Sequence, residues 1–142
     1  MLPATSRLRR RLQFTQVMRS GRRLTVGRGA VTPARLVLHW YSDTTSAGSV
    51  TPPRLGLIIG RGVGNAVQRH RLARQLRHLM RYRLTDLPAG TDVVIRALPI
   101  SSGAKSTELG VELDALLGRI YSGLGVRIPM QHAAPNSAGV PL

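Results

Sequence analysis

Apolar positions along this 142-residue chain change their period several times, and each change predicts an element. From Leu12 to Ser20, Phe14, Val17 and Met18 fall at i, i+3 and i+4 with Gly21 as a stop, which predicts a short helix. Arg35 to Tyr41 alternates Leu36, Leu38 and Trp40 with Val37, His39 and Tyr41, the pattern of a strand with two distinct faces. The runs RLGLIIG from Arg54 to Gly60 and TDVVIRAL from Thr91 to Leu98 predict two buried strands, and a weaker strand is expected from Leu24 to Val31. Ser42 to Pro53 reads as a loop by composition. From Thr107 to Tyr121, Leu109, Leu113, Leu116, Leu117 and Ile120 recur at helical spacing and predict an amphipathic helix.

Residues 1–11 are polar and basic with no apolar period, so a mobile basic arm is expected there. Residues 122–142, rich in Gly, Pro, Ala and Ser, are expected to be a disordered tail. Between them, residues 12–121 read as a single α+β domain in the order α-β-β-β-α-β-α. It is expected to be a sandwich of about four strands and three helices, with the helices on one side of a small sheet.

The segment from Gly60 to Leu84, GRGVGNAVQRHRLARQLRHLMRYRL, carries most information. On a helical wheel centred on Leu72, Ala73, Leu76, Leu79 and Met80 fall within an arc from about −20° to 100°, an apolar stripe for the sheet. His70, Arg71, Arg74, Arg77, His78 and Arg81 fill the opposite arc of about 120°, and the helix has no acid to pair with them. A solvated face ordinarily mixes signs, so this face reads as a polyanion-binding surface. Arg69 projects on the apolar side in the first turn, which suits a different task from that of the outward arginines. Ahead of the helix, Gly60, Gly62 and Gly64 permit close backbone approach, and Asn65 is placed to cap a first turn whose amides would attract a phosphate. The glycine spacing departs from a dinucleotide fingerprint, and no G-K-[ST] follows as a P-loop would require.

Charge sharpens this reading. The chain has 21 basic and 6 acidic side chains, a net charge of +15. Residues 1–85 hold 17 Arg against the single acid Asp43, whereas residues 86–142 are close to neutral and read as scaffold. Twenty of the basic residues are Arg, whose planar fork binds phosphate in bidentate fashion and stacks on bases. Nucleic acid is therefore the leading partner. The 42% hydrophobic content is enough for a core. With no cysteine there is no disulfide, thiolate metal site or thiol nucleophile. No apolar run approaches the roughly 18 residues of a membrane span, and residues 1–14 lack a signal-peptide core, so a soluble cytoplasmic protein without membrane association is expected.

A search for protein-borne chemistry finds no catalytic residue and no metal ligand set. His39, His70, His78 and His132 have no partner at metal-binding spacing, and the few acids lie mostly in the least basic part of the chain. Stacking is limited by one Phe, one Trp and three Tyr, with Phe14 the best placed.

The residues Arg61 to Arg74, R-G-V-G-N-A-V-Q-R-H-R-L-A-R, resemble the arginine-rich signature of the bacterial ribonuclease P protein subunit. The stretch R-L-R-R-R-L-Q-F-T-Q-V-M-R-S-G-R from Arg7 to Arg22 is similar to that family's basic N-terminal region and aromatic-bearing helix. RLGLIIG and DVVIRALP resemble its strands, so the likeness covers about residues 7–121.

The resemblance implies a partner of a large catalytic RNA that removes the 5′ leader of precursor tRNA, with the RNA and Mg²⁺ performing the hydrolysis. Mg²⁺ would be held mainly by the RNA, and no obligate protein partner is expected. It also implies a left-handed β-α-β crossover, against the usual hand. With the charge pattern, it nominates Arg61, Gly64, Asn65, Arg69, His70, Arg71, Arg74, Arg77 and Arg81 for RNA binding. Phe14, Val17, Met18 and His39 are nominated for a leader cleft between the first helix and the sheet. His70 stands where the family usually has Asn, Ala73 where it often has Lys, and Met18 and His39 where an aromatic is common. Composition alone also admits a ribosomal or RNA-chaperone protein, or a stand-alone nuclease; the signature favours the ribonuclease P reading.

Overall fold

A computed structural model describes residues 2, 4–25, 33–42 and 51–124. Helix α1 (Arg11–Ser20) is followed by strands β1 (Arg22–Leu24), β2 (Leu36–Ser42) and β3 (Arg54–Ile58), helix α2 (Ala66–Thr85), strand β4 (Thr91–Ala97) and helix α3 (Ser106–Leu124), the order that the sequence predicts. The strands form one sheet in the order β1-β2-β4-β3. β2 pairs antiparallel with β1 and β4, whereas β3 runs parallel to β4. A parallel pair needs a crossover, and α2 supplies it.

Alternation along the strands sends two apolar sets in opposite directions. Leu36, Leu38, Trp40, Leu55, Val93, Ile95 and Ala97 meet Leu72, Leu76, Met80 and Leu84 of α2 and Leu109, Leu113, Leu116, Leu117 and Ile120 of α3 in the main core. Val94 meets Val17 of α1 and Leu8 in a second, smaller core, with Phe14, Tyr41 and Ile58 packed against it. The helices therefore cover both faces, α1 on one and α2 and α3 on the other, which corrects the expectation of one-sided packing. The physical reason lies in β2 and β4: Val37, His39 and Val94, on the α1 side, are themselves buried and need cover.

Gly21 ends α1 for want of space. A Cβ there would overlap the Val17 carbonyl oxygen and crowd the Trp40 carbonyl, so only glycine lets the helix end press against β2. At the far end of β2, the buried carboxylate of Glu112 reaches from α3 to accept the backbone N–H groups of Arg35 at 3.0 Å and Leu36 at 2.7 Å. The Arg35 guanidinium donates to Glu108 at 2.9 Å, completing an acidic clamp on the start of the strand.

Among the described residues ahead of α1, where composition shows no apolar period, two leucines are packed. Leu2 and Leu8 are buried, and the Leu8 N–H donates to the Leu55 carbonyl at 2.9 Å, so the chain runs along the outer edge of β3. Two isolated leucines suffice for this docking and leave no periodic signal. The weaker strand expected from Leu24 to Val31 meets the observed β1, Arg22–Leu24, at Leu24 alone: Thr25 already lies outside the strand, and residues 26–31, like 43–50 of the expected loop, lie outside the described residues. Of the expected tail, residues 122–124 finish α3 and 125–142 lie outside the described residues. No helix among the described residues is long and apolar enough to cross a membrane.

Candidate nucleic-acid interface

The connection from β3 to α2 is built by reciprocal hydrogen bonds. Arg61–Val63 forms one tight 3-10 turn, closed by the Gly64 N–H donating to the Arg61 carbonyl at 3.2 Å. Asn65 then caps α2: its Oδ1 accepts the Gln68 N–H at 2.9 Å, and Gln68 Oε1 accepts the Asn65 N–H at 2.8 Å. Gly64 is required beside this box, because a Cβ would overlap Gln68 Oε1. The box satisfies two amides at the helix start, so the turn has less capacity for a phosphate than its glycines suggest.

On α2, the predicted stripe faces inward. Leu72, Leu76, Met80 and Leu84 are buried, with Ala73 and Leu79 half-buried beside them. His70, Arg71, Arg74, Arg77, His78 and Arg81 are exposed on the other side, and Arg61 is exposed on the preceding turn. Among the described residues, no ion pair engages Arg71, Arg74, Arg77 or Arg81. The carboxylates serve the scaffold instead: Asp92 holds Arg54 through two bonds of 2.8 Å, Glu108 and Glu112 hold Arg35, and Asp114 holds Arg83 at 2.8 Å. Arg83 belongs to α2 but turns to α3, so the helix sorts its arginines by face. Ala66, Val67, His70, Arg71 and Arg74 line a shallow depression on the outer surface.

Arg69 differs from the outward arginines, as its position on the wheel implies. It is half-buried, and its Nε is shielded from solvent without a hydrogen-bond partner. It lines a groove of about 300 Å³ with His70, Arg77 and Ala73 of α2 and with Leu57 and Ile59. The lining is mixed, apolar from Leu57, Ile59 and Ala73 and basic from the two arginines, and contains no carboxylate.

The second set of nominated residues lies on the opposite face of the sheet, and the structure divides it. Val17 is fully buried against Leu8 and Val94, so it is a core residue and offers no surface to a ligand. Phe14 is half-buried, its ring lying on Gly56, where a Cβ would overlap the ring edge. Met18 is 37% exposed. His39, buried in β2, has its pKa pushed below the usual histidine value, first by burial and then by the positive charges of Arg23 and Arg96. The expectation of one facet built from Phe14, Val17 and Met18 is thus corrected: one residue is exposed, one is shared with the core and one is buried.

Sequence reasoning missed Arg23 and Arg96, both exposed. Arg23 pairs directly with His39 across β1 and β2, and Arg96 pairs with Val37 across β2 and β4. The alternation Asp92, Val94, Arg96 was a usable signal for Arg96, but placing Arg23 required the β1–β2 register. Among the described residues, no three His, Cys, Asp or Glu side chains gather to hold a metal ion.

Comparison with known proteins gives a consistent set of relatives. The family model described as Ribonuclease P matches residues 2–121. The ribonuclease P protein component of Streptomyces griseus is 43% identical over 127 residues, covering 87% of this chain and 98% of that protein. Its counterpart in Acidothermus cellulolyticus is 44% identical over 120 residues, covering 84% and 92%. Among solved structures, the RNase P protein of Staphylococcus aureus superposes with a TM-score of 0.65 at 17% identity, over 81% of this chain and 94% of that one. The RNase P protein from Thermotoga maritima gives 0.62 at 24% identity, over 80% and 96%; at these identities the likeness speaks to the fold.

Proposed function

The chain belongs to the ribonuclease P protein family, and we propose from that membership and from the geometry how it serves the enzyme. It is the protein subunit of an endoribonuclease that forms the mature 5′ end of tRNA, working with the catalytic RNA and binding precursor tRNA. The observation that carries the proposal in this molecule is the unpaired cationic face of α2. An arginine face without carboxylate partners is kept out of the scaffold's ion pairs and is available to phosphates.

Arg61, Arg71, Arg74, Arg77 and Arg81 neutralise phosphates of the catalytic RNA, and His70 lies among them on the same face. Arg69, half-buried in its groove, holds one phosphate more tightly, because its Nε is already shielded from water and lacks a partner. Gly64 and Asn65 shape the turn that presents these side chains. The single-stranded leader passes along the α1 side of the sheet. Met18 and the open edge of Phe14 cover unstacked bases there, Arg23 and Arg96 hold the backbone, and neutral His39 and buried Val17 support them from beneath.

Mg²⁺, when bound, supplies electrostatic stabilisation and water activation at RNA phosphates. The described protein residues do not fit a metal centre, so the protein's part is to bind and position RNA. Residues 12–121 act as one RNA-binding unit in the cytoplasm. The test is to incubate labelled precursor tRNA with protein, with catalytic RNA and with both at low Mg²⁺. Leader removal is expected only with both; cleavage by protein alone, or no stimulation of the RNA, refutes the proposal.

A further inference from the structure

At the opposite end of α2 from the signature turn lies a second cavity. Tyr82 is sixteen residues beyond Ala66, about 24 Å along the helix axis. The cavity, about 360 Å³, is lined by Leu2, Pro52, Pro53, Arg81, Tyr82 and Thr85, with Ser6 and Leu84 completing it. Three distant parts of the chain therefore converge: the docked N-terminal segment, the residues before β3 and the last turn of α2. We infer that this cavity receives an unstacked base of single-stranded RNA.

The lining chemistry favours that occupant. Tyr82 is 61% exposed on a protein with few aromatic side chains, and the Arg81 guanidinium lies over its ring, 5.3 Å from the centroid. With the two proline rings this makes a set of flat, rigid surfaces of the kind on which any base can stack. Leu2, 4% exposed, forms an apolar floor. The lining contains no carboxylate, so nothing in it repels a phosphate. Charge continuity supplies the direction of approach: Arg74, Arg77 and Arg81 follow one another along the outer face and lead from the signature end to the cavity. A strand of RNA neutralised along that row would place a base at Tyr82. The inference rests on the RNA-binding reading of α2 and extends its footprint to the whole helix.

The test uses the full-length protein and two fluorescein-labelled probes of equal charge, a pentaadenylate and an abasic pentamer, followed by fluorescence anisotropy. Pentaadenylate is expected to bind more tightly than the abasic probe. Tyr82→Leu should weaken pentaadenylate about tenfold and leave the abasic probe unchanged, whereas Tyr82→Phe should bind like wild type. Arg71→Ala should weaken both probes. Because Tyr82 is largely exposed, Tyr82→Leu should melt within a degree or two of wild type, which separates lost stacking from lost folding. Equal binding of the two probes, or an equal loss of both with Tyr82→Leu, overturns the inference. Failure of the wider reading would show differently, as precursor tRNA cleavage by the catalytic RNA that wild-type protein does not stimulate.

Discussion

The ring of Phe14 fills the space that a side chain at position 56 would need: Gly56 lies directly beneath its edge, with Leu8 Cδ1 3.1 Å from where a Cβ would stand. A helix residue is thereby seated on a strand that is paired parallel to β4, and the seat determines how far α1 stands off the sheet. Gly56→Ala should displace the ring and destabilise the protein by about 1–3 kcal/mol, the usual scale for overpacking. Phe14→Leu in the same chain should recover part of that loss. A double-mutant cycle by denaturant titration should thus give a coupling of at least about 0.5 kcal/mol; strictly additive losses would mean that the two sites are independent.

Burial separates neighbouring residues of α1 by role. Val17→Ala removes buried methyl groups and should cost about 2 kcal/mol of stability, with equal effects on precursor and mature tRNA binding. Met18→Ala should leave the melting temperature nearly unchanged and weaken precursor tRNA alone, since only the precursor carries a leader. Thermal melting together with binding of both RNAs by the holoenzyme checks the pair. Equal weakening of both RNAs by Met18→Ala would remove it from the leader surface.

His39 makes stability depend on pH. Its folded pKa lies below the unfolded value, so the unfolded chain binds the proton first as pH falls. Its contribution to stability is fully present above the unfolded value of about 6.5 and is lost as pH drops toward the folded value. Unfolding free energy measured between pH 8 and pH 5 should therefore fall below about pH 6.5, and His39→Gln should flatten that fall. An unchanged pH profile in the variant would show that His39 is not the group responsible.

How far these features could be read from the chain depended on the range of the interactions that fix them. α2 and α3 are governed by local periodicity, and Leu76, Met80, Leu109, Leu113, Leu116 and Ile120 are all buried as their spacing predicts. The cationic face of α2 was equally legible, because a helix wheel needs no tertiary information. The side of the sheet that α1 occupies was not, since alternation in β2 shows two faces without saying what covers each. The packing of Leu2 in the main core, of Leu8 beside β3, and the convergence of Pro52 and Tyr82 on one cavity are long-range events that leave no local pattern. Val17 was misassigned for a related reason: i, i+3, i+4 spacing identifies a facet, and only the packed structure shows which part of that facet meets the sheet.

The central claim, that a particular face of α2 binds RNA phosphates, is tested most directly by the salt dependence of full-length protein binding to the catalytic RNA. If about six phosphates are neutralised, log K against log salt should have a slope of about −4 to −5. Arg71→Ala and Arg74→Ala should each reduce its magnitude by about 1. Arg119→Ala should leave the slope alone, since that guanidinium lies on α3, away from the α2 face, and donates to the Thr25 carbonyl at 2.6 Å. A flat salt dependence, or equal changes from all three substitutions, would contradict the account, because binding would then follow overall charge or none at all.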